Sequence, residues 1–473
     1  MGKDLRAFLQ LIKKAGPDFY VEAKKPLKPE LEVGILQHKL ASEGRFPAIY
    51  CPKIEGSNIP LVTNLFGSLE MYALAFDLDP RTAEKSQVLK EYMKRMDRLI
   101  KPQLVQAGEA PVKEVILKEK NADLTLLPVL KHAEMNSGKY MTMNPFICKD
   151  PMTGIANAGI YRHELRDRDE LAAQIHPANH GAIIARRYAE LNRPMEAVII
   201  SGHHPAAIFG ACQAGALDMN EFEVMGGLLG EPLRVTRGET VDIPVPADAE
   251  IAIEGSVDPN DWITDGPFSE FLGYYGEKMP AYRMKVKCIT MRKDAIYLDL
   301  DGSHREHPMS MMLPLEAAVT RAVEKVVSEL RAVHFPPSGS CSHHAYIAIK
   351  KGVQGEGKRA ALAALAAVQF LKLVVVVDED IDIYNDQDVM WAISTRVRGD
   401  QDIVIIPGVT GNRMDPAGPY DELYQRRLGG GGFMTTKVII DATKPKDLPF
   451  ATRITPNKEL WNRMKLEDYL KEG

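Results

Sequence analysis

The sequence predicts a mixed α+β protein in three parts: an N-terminal α/β region (1–112), a β-rich central region (113–315) and a C-terminal α/β region (316–473). Three observations carry this. At 473 residues the chain exceeds what one simple core organises, so two or three units are expected. Near residue 113 the texture changes from mixed helical and extended patterns to strands punctuated by turns. After about residue 314 it changes again, to continuous β-branched runs alternating with helices, which indicates a mainly parallel sheet covered on both faces.

The N-terminal segment "MGKDLRAFLQLIKKAG" reads as a short amphipathic helix. "LEVGILQHKLASEG" and "EKSQVLKEYMKRMDRLI" are helical, and "PAIYCPKI" and "IPLVTNLF" extended. In the centre, "NPFICKDPMTGIANAGIYRHE" is a strand, a turn and a strand. "LRVTRGETVDIPVPADAEIAIEG" and "YRMKVKCITMRKDAIYLDLDG" continue the antiparallel pattern, interrupted by one amphipathic helix at roughly 180–191. A β-barrel or a sandwich with inserted helices accommodates this. After the helix "PLEAAVTRAVEKVVSELR", "AYIAIK", "LVVVVDEDID", "DIVIIPG" and "KVIIDAT" alternate with "GKRAALAALAAVQFL" and "DVMWAISTRV". "LGGGGF", 428–433, is expected to form a local flexible turn.

Composition narrows the function. Hydrophobic residues make up 45% and charged residues 26%, as in ordinary globular proteins. A net charge of −5 argues against general nucleic-acid binding, which needs clustered Lys and Arg. The five cysteines, Cys51, Cys148, Cys212, Cys288 and Cys341, form neither a CxxC zinc signature nor a secreted disulfide frame. No apolar run reaches 18 residues, so no membrane span is expected, and the first helix lacks a signal-type apolar core. A cytoplasmic protein is the expectation.

Four constellations carry chemistry. In "NAGIYR", Asn157 offers a hard amide oxygen and Arg162 a planar cation that pairs bidentately with carboxylates. Taken alone, a surface strand explains both. In "IHPANHGAIIARRYAE", Asn179 fits an N-cap and His180 the first helical turn, where free N–H groups suit a phosphate. His176 and His180 are four apart, but Pro177 argues against one continuous helix joining them. In "DMNEFEVMGGLLGE", Glu221 and Glu223 open a helical pattern, where acids also simply complement the helix dipole. In "TDGPFSEFLGYYG", Asp265 and Glu270 flank a Gly-Pro turn among aromatic residues. Turn chemistry accounts for them in part, but acids usually stay where water reaches them.

Two further motifs are set aside. "GVQGEGKR", 352–359, has phosphate-loop spacing, but Arg359 stands where the Mg²⁺-binding Ser or Thr belongs, so it reads as a strand-to-helix turn. "SCSHH", 340–344, reads as a polar loop, because adjacent His343 and His344 do not readily share one ion.

In order and spacing, Asn157 with Arg162, then Asn179-His180, Glu221 and "DGPFSEFLGYYG" resemble the UbiD family of decarboxylases. "PADAEIAIEG", "VVVVDEDIDI" with "DVMWAISTR", and "IIDAT" are similar to that family's later landmarks. The resemblance runs from about 100 to 445. It implies a central split β-barrel that binds flavin and a C-terminal domain used in oligomerisation, as a homodimer or homohexamer. It also implies prenylated FMN, made by a flavin prenyltransferase, with Mn²⁺ or another divalent cation on its phosphate and K⁺ nearby. Carried over by position, Asn157, His180 and Glu221 are the metal ligands, a donor set that suits an octahedral hard ion better than Zn²⁺. Glu221 is preferred to Glu223 because it stands four residues before the "MG" step. Ile160, Tyr161, Arg162, Gln174, Ile175, His176, Asn179 and His180 fall where the family lines the flavin. Gln387 stands where a phosphate-binding Lys is expected, with Lys437 a candidate replacement.

The same resemblance makes Arg162, Asp265 and Glu270 the catalytic trio. Breaking a C–CO₂⁻ bond requires an electron sink that no side chain supplies and a modified flavin does. Arg162 is expected to hold the substrate carboxylate and keep Asp265 ionised, while the aromatic surroundings of Glu270 raise its pKa and make it the proton donor. The implied activity is reversible, non-oxidative decarboxylation of an aromatic, heteroaromatic or α,β-unsaturated acid, in a pocket that includes Phe268, Leu272 and Phe433. The rivals are a split-barrel FMN reductase using NAD(P)H, which lacks a GxGxxG fingerprint here, and a non-catalytic subunit of a larger carboxylase.

Overall fold

The computed structural model describes residues 2–177, 179–212, 215, 217–418 and 434–470. The glycine-rich stretch 428–433, with Phe433, lies outside the described residues. The first helix, Leu5–Ala15, is capped by Asp4, whose carboxylate accepts from the Ala7 N–H at 2.8 Å. Its apolar face of Leu5, Phe8, Leu9 and Ile12 follows helical spacing and is buried. Beside it, strands Tyr20–Glu22, Ala48–Cys51 and Leu61–Thr63 form a small sheet, completed by Tyr297–Leu298 from the central region.

The centre is a nine-stranded antiparallel sheet. Its order is Tyr140–Met141, Arg162–Asp167, Glu170–Gln174, Met279–Met291, Ile251–Asp265, Met195–Ser201, Pro145–Lys149 and Ala156–Ile160, with Val115–Lys118 also paired to Met279–Met291. Among the described residues the two end strands do not pair with each other, so one sheet curls as an open half-barrel. Register shifts at Glu254/Gly255 and Val257/Trp262 bend the long Ile251–Asp265 strand, as bulges do. Both faces are covered. On Met195–Ser201, Ala197 and Ile199 join one core cluster while Val198 and Ile200 join the other. The strand therefore reads as a continuous apolar run rather than an alternating one.

The C-terminal sheet runs Leu330–His334, His344–Ile349, Leu373–Asp378, Met434–Ala442, Ile403–Thr410. Its three inner strands are parallel and each edge strand is antiparallel. Val374, Val375, Val376 and Val377 are fully buried because helices cover both faces of that strand. Helix Glu306–Val323 begins two turns before Pro314 and runs across the expected 315/316 boundary, tying the centre to this sheet. The glycine-rich turn at 352–355 holds a carboxylate of its own. Glu356 accepts from the Gly352 and Ser328 N–H groups at 2.8 and 3.2 Å, filling the place a phosphate would take. Among the described residues no helix is long and apolar enough to cross a membrane.

Burial holds several histidines neutral. It pushes His163 down to about 3, His203 to about 4 and His204 to about 3. Both ring nitrogens of His163 lack a hydrogen-bond partner, and its ring stacks on Phe146. Folded-state values below the unfolded value of about 6.5 mean that the unfolded chain binds more protons below that pH. Each such group contributes stability that is present above pH 6.5 and lost as pH falls, by up to about 1.4 kcal/mol per pH unit. Denaturant midpoints are therefore expected to drop steeply from pH 6.5 to pH 4.5. His163→Phe, which keeps the ring shape, is expected to flatten that slope; an unchanged slope would count against burial as its cause.

Candidate active site

Arg162 begins a strand of the half-barrel, and Asp265 ends the long strand from which the Gly266-Pro267 turn departs. That peptide bond is cis, and Gly266 has φ of +88°, with a Cβ there meeting the Glu277 carbonyl at 2.9 Å. Only glycine fits this position. The turn is fixed by the Tyr140 hydroxyl, which accepts from the Gly266 N–H at 3.1 Å, and by Asn136, which accepts from the Ser269 N–H at 2.8 Å. Glu270 is thereby brought back over Arg162.

The two acids and the arginine form one buried unit. Arg162 donates to Asp265 Oδ2 from Nε at 2.9 Å and from Nη2 at 2.5 Å, and to Glu270 Oε1 from Nη1. Its guanidinium lies 4.8 Å from the Phe268 ring centroid. Two carboxylates raise the Arg162 pKa further, so it stays charged despite its burial. Asp265 is fully buried and Glu270 is 6% exposed. The sequence reading ties Asp265 to Arg162 and sets Glu270 among aromatic residues. Glu270 is also a partner of Arg162, because the turn folds the acid back onto the strand.

This unit opens onto a cavity of about 500 Å³. Asn157, Ile160, Tyr161, Arg162, Gln174, His176, Asn179 and His180 all line it, as does Glu270. Ile175 does not. With Gln174 and His176 on the wall, the residue between them turns the other way, into the core. Asp265 lies behind Arg162, and Leu272 is likewise off the wall. Asn179 is the N-cap of helix His180–Glu190 but makes no side-chain capping bond. The helix starts at His180, so His176 is not on it.

Beside the cavity is a second polar group. Glu221 opens helix Glu221–Leu229 and is 2% exposed. It accepts from the Asn157 amide at 2.8 Å and the Ala158 N–H at 3.3 Å, and its Oε1 is 3.9 Å from His180 Nδ1. Burial pushes its pKa up to about 7 and lowers that of His180. Asn157 Oδ1 is buried without a hydrogen-bond partner. A buried carboxylate, an unpartnered amide oxygen and an imidazole thus converge, and among the described residues no cationic Lys or Arg side chain pairs with them. Glu223 is not part of this group.

Several wall residues carried no signal in the sequence. His307 faces the cavity with its ring 5.3 Å from Phe271, and its Nδ1 donates to the Gly302 carbonyl at 2.9 Å. Gln369, Phe370, Asn412, Arg413 and Met414 close the cavity from the C-terminal region. Lys437 is not on the wall. It is 1% exposed and donates to the carbonyls of Gln369, at 2.7 Å, and Leu371, so it braces that wall from behind. Gln387 is exposed at the start of helix Asp386–Arg396, away from the cavity.

The curled half-barrel thus carries a buried Arg–carboxylate trio on the wall of a partly aromatic cavity. Comparison with known proteins makes this specific. Models for the 3-octaprenyl-4-hydroxybenzoate carboxy-lyase N-terminal, Rift-related and C-terminal domains match residues 17–96, 103–304 and 309–442. The chain belongs to the UbiD family and is a carboxy-lyase. Among its relatives, the UbiD-class enzyme HmfF from Pelotomaculum thermopropionicum, solved with FMN, is 31% identical with a TM-score of 0.88, over 99% of this chain and 100% of that one. The closed form of vanillic acid decarboxylase from Sedimentibacter hydroxybenzoicus is 28% identical with a TM-score of 0.85, over the whole of both chains. An anhydromevalonate phosphate decarboxylase from Methanothermobacter thermautotrophicus is 33% identical over 83% of this chain and 87% of that protein.

Proposed function

We propose that the protein uses prenylated FMN to decarboxylate, reversibly, an aromatic, heteroaromatic or α,β-unsaturated acid. The observation that carries this reading is the trio itself: a cavity-facing guanidinium bonded to two buried carboxylates in a UbiD-family chain. When bound, prenylated FMN supplies the sink for the electron pair released as the bond to CO₂ breaks. Arg162 has five N–H donors and spends three on Asp265 and Glu270, leaving two for the reacting carboxylate. Asp265 fixes the guanidinium plane from behind. In this reading Glu270, the acid on the cavity wall, carries a solvent-derived proton to the carbon that CO₂ leaves.

Asn157, His180 and Glu221 fit a hard divalent cation such as Mn²⁺. The unpartnered Asn157 Oδ1 and the buried Glu221 carboxylate would both gain from one, and such an ion would hold the flavin through its phosphate. Glu221→Ala is expected to lower retained flavin severalfold while leaving the fold intact. The check is the ratio of flavin absorbance to protein, with and without added Mn²⁺; full flavin content in the variant would remove Glu221 from this role. The reading as a whole is tested by producing the chain together with a flavin prenyltransferase. The mass of the extracted cofactor and CO₂ release from a panel of acids decide it.

A further inference from the structure

We propose that Arg413 is the receptor for a second acidic group on the substrate, so that the cavity prefers acids carrying another carboxylate or a phosphate. This rests on the decarboxylase reading above. Arg413 lines the same cavity as Arg162, on the loop after strand Ile403–Thr410. The two cations differ in how they are compensated. Arg162 is bonded to two buried carboxylates. The ion-pair partner of Arg413 among the described residues is Glu277, 4.0 Å away and 60% exposed. That separation is beyond hydrogen-bond range, and such exposed pairs contribute little. The guanidinium fork of Arg413 is therefore available to a ligand.

Its position favours a substrate group. Glu277 follows Gly276, where a Cβ would lie 2.9 Å from Glu270 Oε1, so the segment facing Arg413 is packed on the proposed proton donor. Next to Arg413, Asn412 Nδ2 is buried without a hydrogen-bond partner, offering a second donor. A guanidinium with an adjacent amide N–H matches the oxygens of a carboxylate or phosphate. Phe271 and Phe370, with ring centroids 6.2 Å apart, supply apolar wall for the body of the acid. The reacting carboxylate then goes to Arg162 and the second anion to Arg413.

The test compares benzoate with terephthalate and crotonate with glutaconate, by calorimetric binding to the flavin-loaded protein at low salt. The wild type is expected to bind each dianion at least about tenfold more tightly than its monoanionic partner. Arg413→Gln is expected to weaken the dianions by about tenfold or more and the monoanions by less than twofold, with flavin content unchanged. Equal wild-type affinity for both classes would overturn the proposal, as would equal weakening of both in the variant. Loss of flavin from Arg413→Gln would also overturn it, by assigning the arginine to the cofactor phosphate. Wild-type protein that releases CO₂ from no acid refutes the decarboxylase reading, while the calorimetric preference still decides the role of Arg413.

Discussion

Glu270→Gln is expected to bind prenylated FMN normally and to lose decarboxylation by roughly 10²–10⁴-fold, the usual cost of removing a well-placed acid. Glutamine keeps the shape of the side chain and still offers Arg162 an oxygen to donate to, so the cavity wall should persist. What it lacks is a proton to give. The change should therefore fall on turnover, with little effect on the apparent affinity for the acid. Parallel measurements of flavin content, kcat and KM separate the outcomes. A variant with full flavin and near wild-type kcat would remove Glu270 from proton delivery.

Arg162→Met should have the larger structural effect. It removes the counterion of two buried carboxyl groups, Asp265 and Glu270. Breaking a buried pair from one side typically costs about 3–5 kcal/mol, because charge is left uncompensated in a poorly solvating site. Turnover should also fall by roughly 10²–10³-fold, the scale for losing one preorganised donor at a reacting charge. Adding Asp265→Asn to Arg162→Met should recover much of the stability and none of the activity. Denaturant unfolding with CO₂ assays on the single and double variants shows both. Equal stability of Arg162→Met and the wild type would mean that the trio is not held by charge.

Much of this site was legible from the order and spacing of its motifs, which resemble the UbiD family, more than from any one of them. His180 and Glu221 each begin a helix behind an Asn at the N-cap, and Arg162 begins a strand. Asp265 and Glu270 were visible because two acids among Phe268, Phe271 and Tyr274 contradict the usual distribution of charge. Their joint grip on Arg162 was implied by the family resemblance and not by the residues themselves. It depends on how far the Gly266-Pro267 turn folds back, which is a tertiary property held by Tyr140 and Asn136, more than 120 residues upstream.

The C-terminal wall of the cavity was hidden for a different reason. In parallel sheets, ligands usually meet the carboxyl ends of the strands. Here the loops at 369–372 and 412–418 lie at the opposite edge, where the parallel strands Leu373–Asp378 and Met434–Ala442 begin. The usual rule points to Asp378 and Asp380, which are instead engaged by Arg396 and Lys444 in ion pairs. His307 was missed because "GSHREHPM" leads into a helix whose start the Pro at 314 obscured. Ile175 was placed with the flavin-lining residues through the family resemblance; its side chain turns into the core because adjacent extended residues face opposite ways.

The central claim is that Glu270 delivers a solvent-derived proton to the carbon that loses CO₂. It is tested most directly by running the flavin-prenylated protein in D₂O with an acid it accepts and analysing the product by mass spectrometry. One deuterium at the former carboxyl position, formed with one equivalent of CO₂ and no NAD(P)H consumption, is the expected result, and Glu270→Gln should slow that incorporation and CO₂ release together. Release of CO₂ at the wild-type rate by Glu270→Gln, or turnover that consumes NAD(P)H on unmodified FMN, would contradict it.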